Sequence, residues 1–480
     1  MMPMDGLPGK EEKVQIEYTA QASSPAMNGE VRLKVDKNYF AVTGVFGAAE
    51  IPYAIVDSIE FANYEIAVRT DEGDYIFSRM GSWAQPFYDA LCDAYGKAVL
   101  RSFFVTGDPA LRATGDYRFT ENGMTSSGNK ALAQVYENCV TGLPPNRNAR
   151  RIPLCFVSAL EKGSTDITIR LNTGESYVFS KMGYDTAMFA ETIEKQMRAM
   201  REKTVAMVKE IDASLSVNQA SQIANLIPNG AAAQIGQLAS IAPSFAAAIE
   251  EKLSKTRAAD SYSAFREICD PAQIWIGFKK NESSSKSKGA EGMAIPPELA
   301  GAMPGGMAIP PELAGAVPGG IPGGDASGDT AAAKEPYMFW MMAPSPDGQY
   351  AAVEFAVRTG ESAATFVYRT NGDLRNAAAH LNRALEAIDF KREVIRLSDE
   401  ELRKPENADY YMAARRTASL QYIRANFAGR VIHSNPEAWK KGLTDIWGAG
   451  PATAEKRLCA ECGAELKEDM KFCSGCGAKL

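Results

Sequence analysis

The chain repeats itself, and this constrains its fold more than any other feature. Tyr75-Ile76-Phe77-Ser78-Arg79-Met80-Gly81 returns as Tyr177-Val178-Phe179-Ser180-Lys181-Met182-Gly183, and Ile51-Pro52 returns as Ile152-Pro153. The offset is 101 residues at Ile-Pro and 102 at the seven-residue motif, so one insertion separates the copies. Self-similarity held at a nearly constant register marks a duplicated unit. In the first copy Val31, Leu33 and Val35 alternate with polar neighbours. Residues 39–45, 51–61, 66–70 and 75–78 follow as further β-prone runs. Asp71-Glu72-Gly73-Asp74 predicts a hairpin turn between the last two. A helix closes each copy, with Phe87, Leu91, Ala94, Tyr95 and Ala98 on one face in the first and Phe189, Ile193, Met197 and Met200 in the second.

Short strands in a meander, closed by one helix within about 80–100 residues, predict an antiparallel sheet whose open end the helix plugs. The Ile-Pro strand, the Gly-turn hairpin and the aromatic start of the final helix resemble bacterial members of the pleckstrin-homology-like superfold, over residues 28–102 and 110–202. The resemblance implies docking modules for peptides, proteins or phosphoinositides, although a fold alone assigns no function. A weaker echo comes later: Val357-Arg358-Thr359-Gly360-Glu361-Ser362 is similar to Leu171-Asn172-Thr173-Gly174-Glu175-Ser176. It precedes a strand-like run at 364–369 and a helical face of Leu374, Ala378, Leu381, Leu385 and Ile388. The seven-residue signature is missing there, so a third related lobe and an unrelated α+β segment both fit residues 259–397.

Three further segments differ in character. Residues 1–27, rich in Gly, Pro, Ser and Met, read as a mobile tail. Residues 281–335 read as a disordered insertion, because 17 of the 36 residues in 289–324 are Gly or Pro. This tract carries a near-perfect repeat, residues 292–305 and 306–319, each with Ile-Pro-Pro-Glu-Leu. Slippage in an unconstrained loop accounts for such a repeat, and so does a two-copy docking peptide. Strand-like runs flank the tract, which suits a long loop inserted into a sheet. Residues 213–249 hold 37 positions without a charge, broken by Pro228 and Pro243. They read as a helical hairpin packed on the preceding domain within a helical segment, 203–258; a membrane-lying or self-associating face is the alternative. Residues 398–450 read as helical, with Tyr410, Tyr411, Ala414, Leu420, Ile423 and Phe427 among Arg415, Arg416, Arg424 and Arg430. Such a charge run reads first as a solvated face, and second as a contact for phosphate or acidic partners.

Cysteine placement supplies the one chemical motif. Cys92, Cys139, Cys155 and Cys269 are scattered and read as buried thiols, which suits a reducing, cytoplasmic setting. Residues 1–14 show no basic-then-apolar leader. The other four, Cys459, Cys462, Cys473 and Cys476, form two Cys-x-x-Cys-Gly knuckles. Each knuckle lets two thiolates approach one ion from a tight turn, and the glycine permits the backbone angle that aims amides at sulfur. Four thiolates suit one tetrahedral Zn²⁺ with no open position, hence a structural ion. The segment 457–480 resembles the short C-terminal zinc ribbons of bacterial proteins, with Phe472 before the second knuckle and Leu466 and Leu480 as its hydrophobes. With Lys456 counted, its side chains, four thiolates and one zinc sum to about −1, which offers no electrostatic footprint for nucleic acid. The whole chain carries −7, which argues the same way.

Phosphate loops, Ser-nucleophile elbows and His-Glu-x-x-His motifs are missing from the sequence, and there are two histidines, His380 and His433. The sequence therefore predicts an α+β chain: duplicated antiparallel sheet or barrel domains each capped by a helix, a helical segment, a third α+β lobe, further helices and a zinc ribbon. The function expected is non-enzymatic, a scaffold that contacts protein partners. The one concentrated basic loop, residues 144–151, nominates Arg147, Arg150 and Arg151 as anion or lipid contacts, against an ordinary exposed loop. The rival reading is a peripheral membrane protein using those arginines with residues 213–249 on anionic lipid.

Overall fold

The computed structural model describes residues 17–24, 27–256, 258–280, 337–355, 364–389, 393–433, 435–448, 457–458 and 465–466. The first lobe comprises β1 (Glu17–Ser23), β2 (Asn28–Val35), β3 (Tyr39–Gly44), β4 (Gly47–Pro52), β5 (Val56–Ala62), β6 (Glu65–Thr70), β7 (Gly73–Ser78) and α1 (Ala84–Ser102). Its antiparallel sheet runs β4-β3-β2-β1-β7-β6-β5. The second lobe comprises β8 (Leu111–Glu121), β9 (Met124–Val135), β10 (Cys139–Leu143), β11 (Arg150–Pro153), β12 (Val157–Lys162), β13 (Asp166–Leu171), β14 (Ser176–Ser180) and α2 (Asp185–Ile211). Its order, β11-β10-β9-β8-β14-β13-β12, is that of the first lobe. The duplication extends to irregularities: the register shift between Val56 and Ser58 on β5 recurs between Val157 and Ala159 on β12.

The repeated motif is the corner between last strand and helix. Tyr75 and Phe77, like Tyr177 and Phe179, are buried in their lobes. Next come two left-handed residues, Arg79 (φ 58°) and Gly81 (φ 57°) in one lobe, Lys181 (φ 56°) and Gly183 (φ 60°) in the other. Between them Met80 and Met182 drop into the cores. Glycine adopts the left-handed state without the Cβ clash that makes it costly elsewhere, so the corner dictates that residue.

The tail expected over residues 1–27 is corrected from residue 17 onward. β1 is the central strand of its sheet, paired with β2 and β7, and buries Tyr18, Ala20 and Ala22. Two of these are alanines, a weak hydrophobic signal beside Ser and Gln. The run expected over residues 51–61 is likewise interrupted by a single 3-10 turn, Tyr53–Ile55, after Pro52. α2 continues to Ile211, past the expected boundary at 202, because its lower end feeds Val208 and Ile211 into the third core.

The third unit is built on β15 (Ala233–Gln234), β16 (Trp275–Lys280), β17 (Tyr337–Pro344), β18 (Tyr350–Phe355), β19 (Ala364–Arg369) and β20 (Phe427–Ile432), hydrogen-bonded in sequence order. Around it lie α3 (Val217–Leu226), α4 (Ile235–Ile241), α5 (Pro243–Leu253), α6 (Ala259–Ile268), α7 (Leu374–Ala387), α8 (Glu393–Arg396), α9 (Asp399–Leu402), α10 (Ala408–Arg416), α11 (Ala418–Ala425) and α12 (Pro436–Gly448). One face of the sheet, with Ile276, Phe278, Phe339 and Met341, packs on α3–α6 and α12. The other, with Trp275, Trp340, Met342, Val353 and Phe366, packs on α7–α11. A sheet covered on both sides has near-continuous apolar strands, and such runs carry no alternation to reveal them.

This order differs from that of the first two lobes, so the third sheet is not a copy of them. What recurs is the local hairpin and helix, β18-β19-α7 against β13-β14-α2. The stretch read as helical over 398–450 contains β20, to which Phe427 and Arg430 belong. Lys280 on β16 pairs with Tyr337 on β17, so the Gly/Pro tract leaves and re-enters at one hairpin end. The tract itself, with its repeats, lies outside the described residues. In the uncharged segment Ile223, Ile227, Ile235, Leu238, Phe245 and Ile249 are all buried, but in the core of the third unit and not on the preceding domain as expected. Among the described residues no helix is long and apolar enough to cross a membrane.

Close approach at the centre of the third sheet yields a test. A Cβ at Gly277 would overlap the Trp340 indole and sit 2.9 Å from the Ala232 amide nitrogen. Gly277→Ala should therefore destabilise the protein by roughly 1–3 kcal/mol, the usual cost of overpacking a filled core. Denaturant unfolding followed by tryptophan fluorescence measures it.

Candidate functional site

The loop nominated at 144–151 is where the units meet. Its backbone lies along the edge strand β5 of the first lobe: Ile59 N–H donates to Pro145 O (2.9 Å), and Arg147 N–H donates to Asp57 O (2.8 Å). Leu143 and Ala149 sit in the buried cluster of the first lobe, although they belong to the second. An open edge with unpaired backbone groups invites such pairing, and here the chain supplies it.

The three nominated arginines do not share one surface. Arg147 pairs with Asp57 at 3.4 Å and remains about half exposed. Arg150 donates to Glu121 (3.0 Å) and stacks its guanidinium over Phe119, 4.2 Å from the ring centroid. Arg151, its side chain 5% exposed, forms a bidentate pair with Glu386 of α7. Burial works against the Arg151 charge, but the Glu386 carboxylate outweighs it, and its pKa is raised. The same helix reaches back with a second pair. Arg383, 4% exposed, donates to Glu175 and to Thr173 Oγ1 (2.7 Å) in the β13–β14 turn. This turn is where the offset between the copies changes from 101 to 102, so the inserted residue lies in the turn that meets α7. Asn382, one residue before, clamps the Ala232 backbone from both sides, accepting from N–H (2.7 Å) and donating to O (3.1 Å).

α10 grips the first lobe in the same manner. Arg415 donates to Asp57 (2.6 Å), Asp71 (2.8 Å) and the Ala54 carbonyl (3.1 Å). Tyr411 OH donates to Asp71 (2.9 Å), and the buried Arg416 donates to Tyr95 OH (2.6 Å). Met412 joins the first lobe's core. The Tyr/Arg run expected as a solvated face is therefore largely an internal interface.

Between α8–α11 and the 144–151 loop lies a cleft of about 830 Å³. Arg147, Arg396, Arg403, Arg415 and Arg424 line it with Tyr411 and Phe427, against Asp399 and Glu401. Arg424 is committed to Asp399 (2.5 Å) and to the Val394 and Leu397 carbonyls. Glu401 is held in the capping box of α9, its carboxylate accepting from the Ser398 N–H (2.9 Å). Arg396 and Arg403 have no ion pair among the described residues, and Arg403 lies 5.8 Å from the Tyr411 ring centroid. The cleft thus presents two guanidinium groups outside any direct ion pair of the described residues, Arg396 within electrostatic reach of Glu401, beside aromatic walls. Sequence reasoning missed it, because Arg147 and Arg396 are far apart in the chain.

Other titratable groups are used for packing. His380 is buried against Tyr422, the rings stacked 4.1 Å apart, and burial lowers its pKa. Thr365 Oγ1, fully buried, donates to Glu354 (2.5 Å) and accepts from Trp439 Nε1 (2.8 Å); His433 Nε2 lies 3.1 Å from both Thr365 and Glu354. This cluster stitches β18, β19 and α12 together, and its hydroxyl is closed to substrate. The thiols of Cys92, Cys139 and Cys269 are pushed up by burial to about 12, 11 and 11; Cys139 is buried as expected, whereas Cys92, Cys155 and Cys269 are half-buried at the core margins.

The zinc ligands named above, Cys459, Cys462, Cys473 and Cys476, lie outside the described residues. What is described there is a two-stranded pairing of β21 (Arg457–Leu458) with β22 (Glu465–Leu466). In the sequence, Cys459 and Cys462 lie between these two strands. Among the described residues no group of three or more His, Cys, Asp or Glu side chains is placed to hold a metal. Residues 458–480 match the zinc-ribbon domain family, which assigns zinc binding to the chain's last segment. Nothing among curated proteins matches the chain. One solved structure, "Structure of the Spt16D Pob3N heterodimer", is similar at 10% identity with a TM-score of 0.15, covering 32% of this chain and 82% of that one. At that score the likeness carries no weight.

Glu386→Gln leaves the Arg151 charge without its carboxylate and should cost about 3–5 kcal/mol in denaturant unfolding, whereas Arg151→Met with Glu386→Leu should recover most of it. His433 has a raised pKa, caused first by its hydrogen bond to Glu354. Its contribution to stability is complete below the ordinary histidine value of about 6.5 and is lost as pH rises through the higher folded value. His433→Gln should flatten the fall in unfolding free energy above that pH, measured by denaturant titration at each pH.

Proposed function

We propose that this protein is a non-enzymatic scaffold, a platform built from two pleckstrin-homology-like lobes clasped to a third unit, with the zinc ribbon as a further protein-contact module. One structural zinc per chain, held by Cys459, Cys462, Cys473 and Cys476, would supply the folding energy that a 23-residue ribbon cannot draw from a core. The observation that carries this reading is where the buried charge goes. Arg151–Glu386, Arg383–Glu175 and Arg415–Asp57/Asp71 all join one unit to another. Groups placed for catalysis face a cleft with perturbed protonation; Arg151–Glu386 and Arg383–Glu175 are buried and face each other across an interface, and the part-buried Arg415 spends its charge on Asp57 and Asp71.

The partner surface best supported is the basic cleft, and the partner chemistry it suits is an acidic, aromatic-bearing protein segment. Arg396 and Arg403 offer charge-assisted donors, and Tyr411 and Phe427 offer apolar contact. The membrane reading needs Arg147, Arg150 and Arg151 on the surface together with an apolar face from 213–249. Arg151 is buried and Arg150 largely buried in ion pairs, and most apolar side chains of that segment line the third core, with Val217 exposed.

The test is capture from the native host with three baits: the intact protein, Arg396→Glu with Arg403→Glu, and Cys473→Ser with Cys476→Ser. A protein partner retained by the intact bait and reduced at least tenfold by either variant is the expected result. Recovery of anionic lipid, or equal recovery by all three baits, would contradict it. Metal analysis of the purified chain should give one zinc, lost in the cysteine variant.

A further inference from the structure

The two lobes receive helical neighbours at the same place but fill it differently. On the first lobe the hollow between the Tyr53–Ile55 turn, β5 and α1 takes α10. Met412 of that helix enters the core, Arg415 donates to Asp57 and Asp71, and Arg416 donates to Tyr95 OH. The counterpart hollow on the second lobe lies between the Leu154–Phe156 turn, β12 and α2, and it is roofed by α3 and the Pro228–Gly230 turn. Cys155, Ser158, Asn172 and Met197 stand there at the positions of Ala54, Asp57, Asp71 and Tyr95. The roof brings smaller groups: α3 presents Ala224 and Asn225, against the methionine and two arginines of α10. A cavity of about 320 Å³ is left beneath it.

Its lining sorts by chemistry. Leu154, Phe156 and Met200 are buried and Met197 is half-buried, which makes an apolar floor. Ser158, Asn172, Asn225 and Arg201 are exposed and make a polar mouth. The carboxamides of Asn172 and Asn225 have no hydrogen-bond partner among the described residues. Arg201 is the one charged side chain of this lining; it donates to Ser221 Oγ (2.8 Å) and has no ion pair among the described residues. The charge of the hollow is therefore inverted between the lobes. Where the first offers Asp57 and Asp71 to guanidinium groups, the second offers neutral donors and a guanidinium of its own.

We propose that this cavity binds a small carboxylate with an apolar body. The body lies on Leu154, Phe156 and the two methionines, whose flexible thioethers adapt to a chain or a ring. The carboxylate stands at the mouth, where Arg201 supplies the planar donor pair that a carboxylate matches and the free carboxamides supply further N–H groups. A single guanidinium balances the single charge of a carboxylate, whereas a phosphate brings up to about two. A cavity of about 150 Å³ holds one benzene ring, so one of about 320 Å³ suits a ligand of roughly ten non-hydrogen atoms. A few polar groups at the rim of an apolar cavity of this size are the usual make-up of a small-molecule site.

Isothermal titration calorimetry of the full chain, with octanoate and with octanol as its uncharged counterpart, tests this. The parent should bind octanoate saturably, and more tightly than octanol. Arg201→Gln should weaken octanoate by about tenfold, the usual worth of a charge-assisted hydrogen bond, and leave octanol unchanged. Ala224→Met, which fills the cavity from its roof, should abolish binding of both; should that variant fail to fold, the exposed Arg201 position decides alone. Arg396→Glu with Arg403→Glu, in the basic cleft, should bind octanoate as the parent does. Absence of saturable octanoate binding, an octanoate affinity unchanged by Arg201→Gln, or loss of binding in the cleft variant would overturn the proposal.

Discussion

Two buried arginine–glutamate pairs, running in opposite directions between α7 and the second lobe, hold this architecture together. Arg151 of the lobe meets Glu386 of the helix, and Arg383 of the helix meets Glu175 of the lobe. A buried pair is a poor source of net stability, because desolvation offsets most of the Coulombic gain. It is a strong source of specificity, because any other docking strands a charge in a dry interface. Reciprocal pairs one helical turn apart fix both the position and the direction of α7 on the lobe. Since α7 also covers one face of the third sheet with Leu381 and Leu385, its placement sets the third unit relative to the second.

The first lobe is fastened by a different device. There α10 brings arginines to an acidic pair, Asp57 and Asp71, and the 144–147 loop completes the β5 edge. The second lobe has Ser158 and Asn172 where those aspartates stand, so α10 could not grip it. The two similar lobes thus have edges that differ in charge. α2 adds a mechanical link, with Phe189 and Ile193 in the second lobe's core and Val208 and Ile211 in the third.

The duplicated lobes were legible in the sequence because their half-covered strands alternate and their corner demands a particular glycine. β1 was not, since Ala20 and Ala22 give too little hydrophobic contrast beside Ser and Gln. The third sheet was partly hidden for the opposite reason: strands buried on both faces lack alternation, and β20 lies between helices with Arg430 in its middle. The zinc ribbon was the most legible feature, since the spacing of two Cys-x-x-Cys-Gly knuckles marks that family. The basic loop was found, but its role was misjudged at Arg150 and Arg151. Their partners, Glu121 and Glu386, lie 29 and 235 residues away, and no local pattern announces a pairing of that range. The clefts share this property, being made of side chains that only tertiary structure assembles.

Cores shared across the lobe boundaries, together with these pairs, imply that the three units unfold as one. Differential scanning calorimetry of the intact chain addresses this directly. The account predicts a single main transition whose calorimetric enthalpy equals its van't Hoff enthalpy, the signature of one cooperative body. Resolved transitions for the individual lobes, or a calorimetric enthalpy two to three times the van't Hoff value, would contradict it.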